Sequence, residues 1–265
     1  MTKSAGTGVS EPLTYFGYVR VFYPLKRGRI TLRVEGDWNH DLEPTHVSED
    51  GQRFDFLVEH SAPYLLCKPV LHHAEHLHWA AGANKLLIFS EEPQDVYPHF
   101  YSPERGTITE ILECPSETLN RSIRTRLYLP PGYDENHLKR YPVLYMHDGR
   151  NLFFPEEAFL GNDWKIDETL DLLGSMSLID RAIVVGVHAN ERDVDYTQPG
   201  YEAFGAALVN DLKPWVDRSW RTLPGPEETT VMGASLGGVV SFYWGWEYPH
   251  VFGNVACMSS TFGYR

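Results

Sequence analysis

Two near-continuous apolar runs, Tyr141-Pro-Val-Leu-Tyr-Met146 and Ala182-Ile-Val-Val-Gly-Val187, restrict the architecture more than any other feature of the chain. Runs without polar alternation fit strands covered on both faces, and such strands belong to parallel sheets with helices on either side. A helical pattern lies between them. Asp163 to Leu173 places Ile166, Leu170 and Leu173 at helical spacing before a stop at Gly174. A second helical stretch, from about Tyr201 to Asp217, carries Phe204, Leu208, Leu212 and Trp215 on one face, with a kink expected at Pro214. Thr107 to Cys114, Ser122 to Leu129, Thr229 to Met232 and Asn254 to Ser259 read as further strands, and a helix runs from Ser235 to about Tyr248. Strand and helix in alternation predict a mostly parallel α/β sheet.

Before Gly106 the pattern differs. Ile30, Leu32 and Val34, then Phe54, Phe56 and Val58, alternate with period two, and Leu86 to Phe89 forms another short run. Gly, Pro, Asn and Asp clusters separate these runs, as between short antiparallel strands. Residues 1–105 therefore read as a small all-β sandwich plus linker, and residues 106–265 as the α/β domain; Pro93, Pro98, Pro103 and Gly106 mark the connection.

Charge removes several classes of partner. Lys and Arg number 23 against 36 Asp and Glu, a net charge of −13, with no basic run to track a phosphate backbone, so nucleic acid is not an expected partner. Met1 to Gly8 has no apolar core behind Lys3 and does not read as a secretory signal. Nor is there an apolar stretch of about 18 residues to cross a bilayer. Cys67, Cys114 and Cys257 are odd in number and far apart, which suits reduced thiols. These features predict a cytoplasmic protein with no membrane partner.

Gly233-Ala-Ser-Leu-Gly237 is a G-x-S-x-G segment with Gly238 behind it, set between a predicted strand and a predicted helix. A serine on such a sharp turn projects its hydroxyl at the edge of the sheet, and small neighbours let the backbone turn without clashes. The helix start also aims backbone N–H groups where a tetrahedral oxyanion would form. The alternative is a tight Gly-rich helix start with an inert serine.

Further segments accompany the motif in order: Tyr141-Pro-Val-Leu-Tyr-Met-His-Asp-Gly149, Asn151-Leu-Phe153, Gly161-Asn-Asp-Trp164, Ile183-Val-Val-Gly186, Asp211-Leu-Lys-Pro214 and Tyr248-Pro-His-Val-Phe-Gly253. From Tyr141 onward the chain thereby resembles the esterase D-like, or "putative esterase", family of α/β-hydrolases, which includes enterochelin esterases, feruloyl esterases and mycolyltransferases. The resemblance implies a mostly parallel α/β-hydrolase sheet, truncated after about six strands. It implies Ser235 as the acylated nucleophile, the Leu236 N–H as one oxyanion donor, and an amide of the Gly149-Arg150 turn as the other. The residue pattern agrees, because that turn ends a strand expected beside the serine's own. The preceding β-domain is similar to accessory domains of some enterochelin esterase-like members.

One departure bears on mechanism. Family members place an acid and then a histidine after the serine. Residues 236–265 contain no Asp, a single Glu, Glu247, and a single His, His250. A helix from Ser235 to Tyr248 rises roughly 20 Å and carries both to the opposite edge of the sheet. Without a base the hydroxyl is a poor nucleophile at neutral pH. His147 and His188 each end a strand on the serine's edge; His147 is the nearer substitute base, although the family uses that turn for backbone donation, and His188 is the weaker choice. The chain reads as a C-terminally incomplete version of a longer esterase, with Asn254 to Ser259 as an unprotected edge strand.

Other groups have bland readings beside functional ones. By resemblance Arg192, Asp195 and Tyr196 help shape the substrate site, whereas an Arg192–Asp195 surface ion pair accounts for two of them equally well. His72, His73, His76 and His78 suit a solvated loop better than a metal site. Trp38, Trp79 and Tyr64 suit core aromatics better than a stacking platform. Asp163 and Asp167 suit helix capping. The sequence thus predicts a serine ester hydrolase of enterochelin or feruloyl esterase type, acting on a small-molecule ester with no metal or cofactor. An acyltransferase is the close variant, and a catalytically inert binding protein the alternative from another class.

Overall fold

The computed structural model of the protein describes residues 13–263, so the Met1 to Gly8 segment lies outside the described residues. Backbone contacts divide the chain into two compact units, with the break between Phe100 and Tyr101, inside the stretch marked by Pro93 and Gly106.

The first unit contains β1 (Tyr15–Phe22), β2 (Arg29–Val34), β3 (Asp37–Leu42), β4 (His46–Val47), β5 (Arg53–His60), β6 (Tyr64–His73), β7 (His76–Trp79), β8 (Lys85–Ile88) and β9 (Gln94–Val96). They form two sheets, in the orders β4-β5-β1-β9 and β3-β2-β6-β7, with β8 also on β6. Alternate residues from both sheets, among them Val19, Phe56, Ile30, Leu32 and Leu65, meet in one hydrophobic core. The period-two runs are therefore half-buried strands.

Two sequence expectations fail in this unit. The His72 to His78 segment is a hairpin rather than a loop: β6 and β7 pair His73 with His76 around Ala74, which adopts a left-handed φ of 54°. The aromatics Tyr64, Trp38 and Trp79 lie outside the core. Trp79 pairs with Val70, and the next residue on β6, Leu71, is the one that enters the core, so parity turns the tryptophan outward and leaves it 39% exposed. Tyr64, just before the core residue Leu65, is 57% exposed, and Trp38 is half-buried.

The second unit contains β10 (Thr107–Ile108), β11 (Leu112–Ser116), β12 (Arg121–Leu129), β13 (Val143–Met146), α1 (Ile166–Ser175), β14 (Ile183–Val187), α2 (Arg192–Asp195), α3 (Gly200–Ala207), α4 (Lys213–Ser219), β15 (Thr229–Ala234), α5 (Leu236–Glu247) and β16 (Asn254–Met258). Its sheet has the order β10-β12-β14-β13-β15-β16, with β11 also on β12. From β14 to β16 neighbours are parallel, while β10, β11 and β14 pair antiparallel with β12. Ile183, Val185 and Val187 of β14 enter a core with Leu208, Leu212 and Trp244, and Val184 enters a second core with Met146 and Leu152. Both faces of the sheet are covered, as the continuous apolar runs require.

Three details differ from expectation. The single strand expected from Thr107 to Cys114 is two, because Thr109 Oγ1 accepts the Leu127 N–H and takes the place of a ladder partner. At the predicted kink, a π turn over Leu208–Leu212 joins α3 to α4 just before Pro214, whose missing N–H and ring disfavour a regular α turn. Helix α1 starts at Ile166 rather than Asp163, after Lys165 in the left-handed region. Asp163 accepts the Lys165 N–H at 3.2 Å, whereas Asp167 stands inside the first helical turn rather than at its cap; its buried Oδ1 has no partner, and burial with the neighbouring Glu168 raises its carboxyl to about 6. Among the described residues no helix is long and apolar enough to cross a membrane.

Candidate active site

Ser235 stands between the last residue of β15 and the first of α5, at φ 55° and ψ −120°, a conformation that costs a non-glycine residue on the order of 1–3 kcal/mol. Its N–H donates to the Met258 carbonyl on β16 at 2.9 Å, which helps hold the turn. Gly233 is required by close approach: a Cβ there would lie 2.5 Å from the Gly237 carbonyl carbon and oxygen. Leu236 is the first helical residue, and first-turn N–H groups have no partner within their own helix.

The second half of the site lies on the neighbouring strand. β13 and β15 are parallel with Met146 opposite Met232, and the His147 N–H donates to the Met232 carbonyl at 2.9 Å, so their C-terminal ends lie side by side. The chain then passes through Asp148, at φ 56°, into a 3-10 turn over Gly149–Asn151. Gly149 packs against the backbone of β14, where a Cβ would fall 2.6 Å from the Gly186 carbonyl carbon.

Asp148 is the keystone of this turn. Its side chain is only 9% exposed and accepts both arms of Arg192, Nε at 2.9 Å and one terminal nitrogen at 3.1 Å, and its N–H donates to the Tyr196 hydroxyl at 3.0 Å. The same guanidinium reaches the carbonyl of Ala234, beside the serine, at 3.4 Å. Arg192 thereby ties the turn after β13 to the turn after β15. The surface ion pair expected between Arg192 and Asp195 does not form. Asp195 is buried and instead pairs with Arg121 at 2.8 Å and accepts the Asn190 N–H at 2.7 Å, while Arg192 is committed to Asp148.

A cavity of about 560 Å³ opens over these turns, lined by Ser235, Gly149, Arg150, His188, Arg192 and Trp164 among others. Trp164 is brought in by its N–H bond to the Asn151 carbonyl at 2.7 Å. A second cavity of about 530 Å³ adjoins Leu236 and is lined by Tyr196, Tyr201, Tyr243, Thr261 and Phe262, with no charged residue.

Neither histidine at this edge serves Ser235. His147 is fully buried between the rings of Tyr196 and Trp244, at 5.3 and 4.7 Å, and both ring nitrogens lack a partner. Burial, with a smaller contribution from Arg192, lowers its pKa to about 3, which leaves it neutral and weakly basic. This overturns His147 as the substitute base: the strand end turns its ring into the core rather than the cavity. His188 does line the cavity, but burial and then Arg124, Arg126 and Arg150 lower its pKa to about 4. Ser235 Oγ has Thr261 Oγ1 at 3.4 Å, and among the described residues no imidazole is hydrogen-bonded to it. Glu247 and His250 lie near the turn where the Gly253 N–H meets the Pro226 carbonyl, before β15 begins, which is the end of the sheet away from the serine.

Sequence patterning brought Ser235, Gly149, Arg150, His188 and Arg192 to one cavity and missed Asp148 as their organiser. The available signal was Asp in a His-Asp-Gly strand end, since aspartate tolerates the left-handed region. Nothing marked Thr261 or the second cavity.

The sequence pattern of the "Putative esterase" family matches residues 116–263. The chain belongs to that family. Among its relatives, the uncharacterized protein YjcH of Bacillus subtilis is 31% identical over 163 residues, 60% of this chain and 63% of that protein. An endo-1,4-beta-xylanase/feruloyl esterase of Xylanibacter ruminicola is 24% identical over 234 residues, 86% of this chain and 30% of that protein. This esterase-family chain therefore spans less than two thirds of the length of these curated relatives. Among solved structures it is similar to a ferulic acid esterase from Anaeromyces mucronatus, with 24% identity, 62% of each chain covered and a TM-score of 0.48. It is also similar to the ferric enterobactin esterase of Salmonella typhimurium, with 15% identity, 95% of this chain and 73% of that one covered, and a TM-score of 0.48.

Proposed function

We propose that this chain is a serine carboxylic-ester hydrolase that forms an acyl-enzyme on Ser235. The observation that carries the reading is the strained strand-to-helix turn at Ser235 set beside the Gly149–Arg150 turn by the pairing of β13 with β15. Ser235 Oγ attacks the ester carbonyl carbon. The oxyanion that forms accepts the Leu236 N–H and an amide of the Gly149–Arg150 turn, the alcohol leaves with a proton, and water then releases the acid. Among the described residues no imidazole is hydrogen-bonded to the hydroxyl, and with these residues alone the serine proton passes to solvent while the oxyanion donors and binding supply the roughly 10³–10⁴-fold that survives loss of triad members in serine hydrolases. The relatives' printed activities and the aromatic second cavity support a substrate of feruloyl or enterochelin ester type. We take the first unit as a β-sandwich accessory domain, and the protein as cytoplasmic.

A catalytically inert binding protein is the second reading, favoured by the Ser235 hydroxyl, whose side-chain contact among the described residues is Thr261 Oγ1 at 3.4 Å. A fluorophosphonate probe separates the two. Labelling of the folded chain that disappears in Ser235→Ala supports the hydrolase, and absence of labelling on folded chain refutes it.

A further inference from the structure

The two cavities beside Ser235 and Leu236 differ in charge, and the difference concerns the substrate. Four guanidiniums surround the first cavity or its histidine. Two are neutralised: Arg192 by Asp148, and Arg126 by Glu157. Arg150 and Arg124 are exposed and, among the described residues, form no ion pair. Arg150 lines the cavity itself, on the same turn that would supply an oxyanion amide. Asp148 and Glu157 are committed to their own arginines, and Glu113 stands opposite Arg124 across the β11–β12 pairing, which leaves the Arg150 guanidinium as the cation that lines the cavity without an ion pair among the described residues. It stands on a chain whose net charge is −13. A concave site of one sign on a surface of the other concentrates ligands of opposite charge. His188 adds a polar but uncharged wall at neutral pH, with an Nε2 that has no partner. The second cavity is lined by aromatic, aliphatic, hydroxyl and amide side chains and by no charged residue.

We propose that the first cavity selects esters that carry an anionic group, held by the Arg150 guanidinium, while the uncharged remainder of the substrate extends toward the second cavity. The proposal rests on the esterase reading and deepens it by naming the substrate class. A guanidinium pairs a carboxylate through two parallel N–H donors, a geometry that a neutral ester cannot use.

Equilibrium binding to the full chain carrying Ser235→Ala tests it without turnover. Two matched pairs are titrated by calorimetry: monomethyl succinate against methyl butyrate, with the charge on the acyl side, and acetoxyacetate against ethyl acetate, with the charge on the alcohol side. At low salt at least one anionic ester is expected to bind about tenfold more tightly than its neutral counterpart. The advantage shrinks severalfold at high salt, disappears when Arg150→Gln is added and survives Arg150→Lys. Equal or undetectable binding within both pairs, or a preference that Arg150→Gln leaves intact, overturns the site. Preferential binding by a chain whose wild type hydrolyses neither ester refutes the esterase reading and leaves the anion site standing; hydrolysis without preference does the reverse.

Discussion

Replacing Arg192 by methionine removes the fork that ties Asp148 and Ala234 together while keeping most of the aliphatic stem. Two charge-assisted hydrogen bonds of 2.9 and 3.1 Å to a carboxylate that is 9% exposed are lost, and the carboxylate stays behind unpaired. Hydrogen bonds to charged groups contribute about 1.5–3 kcal/mol, and because the Arg192 side chain is 39% exposed, solvent screening holds the total near the low end, about 2 kcal/mol. In a unit of this size that lowers the melting temperature by roughly 4–8 °C. On the proposed acyl-enzyme mechanism the larger effect falls on acylation. Loss of one oxyanion donor costs on the order of 10²–10³ in rate, and with Tyr196 still accepting the Asp148 N–H the turn is displaced rather than lost, so about a tenfold to hundredfold fall is expected. The assay is the rate of fluorophosphonate labelling beside a thermal melt, with Arg192→Lys as companion. Lysine keeps the charge without the fork and should recover most of the stability but only part of the rate. An unchanged acylation rate in a destabilised Arg192→Met protein would refute the role of this clamp in setting the oxyanion turn.

Burial keeps His147 neutral in the fold, with its pKa lowered from 6.5 to about 3, whereas the unfolded chain takes up a proton below 6.5; stability is therefore complete above that pH and falls as the pH drops toward 3. The loss is about 1.4 kcal/mol per pH unit, and His147→Leu should flatten urea-derived stability against pH between 6 and 4 by about one proton while costing little at pH 7, because the replacement leaves no orphaned ring nitrogen. Gly149→Ala forces a Cβ to within 2.6 Å of the Gly186 carbonyl carbon; a loss of about 1–3 kcal/mol and a fall in labelling rate should accompany each other, and a variant with wild-type stability would contradict the close approach.

Legibility in the sequence followed the physics of each element. Val184 and Tyr145 sit in strands whose two faces are both covered, so an unbroken apolar run announced them. Ser235 was readable because its turn demands small residues at fixed offsets, Gly233 above all. The tryptophans of the first unit were misplaced because composition does not give parity: a single step between Val70 and Leu71 decides whether Trp79 faces the core or solvent. His147 was misjudged for a similar reason, since a strand end at the correct edge does not fix where its ring points. The partner of Arg192 was illegible because it lies 44 residues away, where three separate chain segments meet. Local spacing favoured Asp195, and tertiary pairing chose Asp148.

The central claim is that Ser235 becomes acylated, and intact-mass spectrometry after brief exposure to 4-nitrophenyl acetate tests it most directly. A single added acetyl group, mapped by fragmentation to Ser235 and absent from Ser235→Ala, is the expected result. Folded protein that gains no acetyl group, or gains one elsewhere that Ser235→Ala retains, would contradict it.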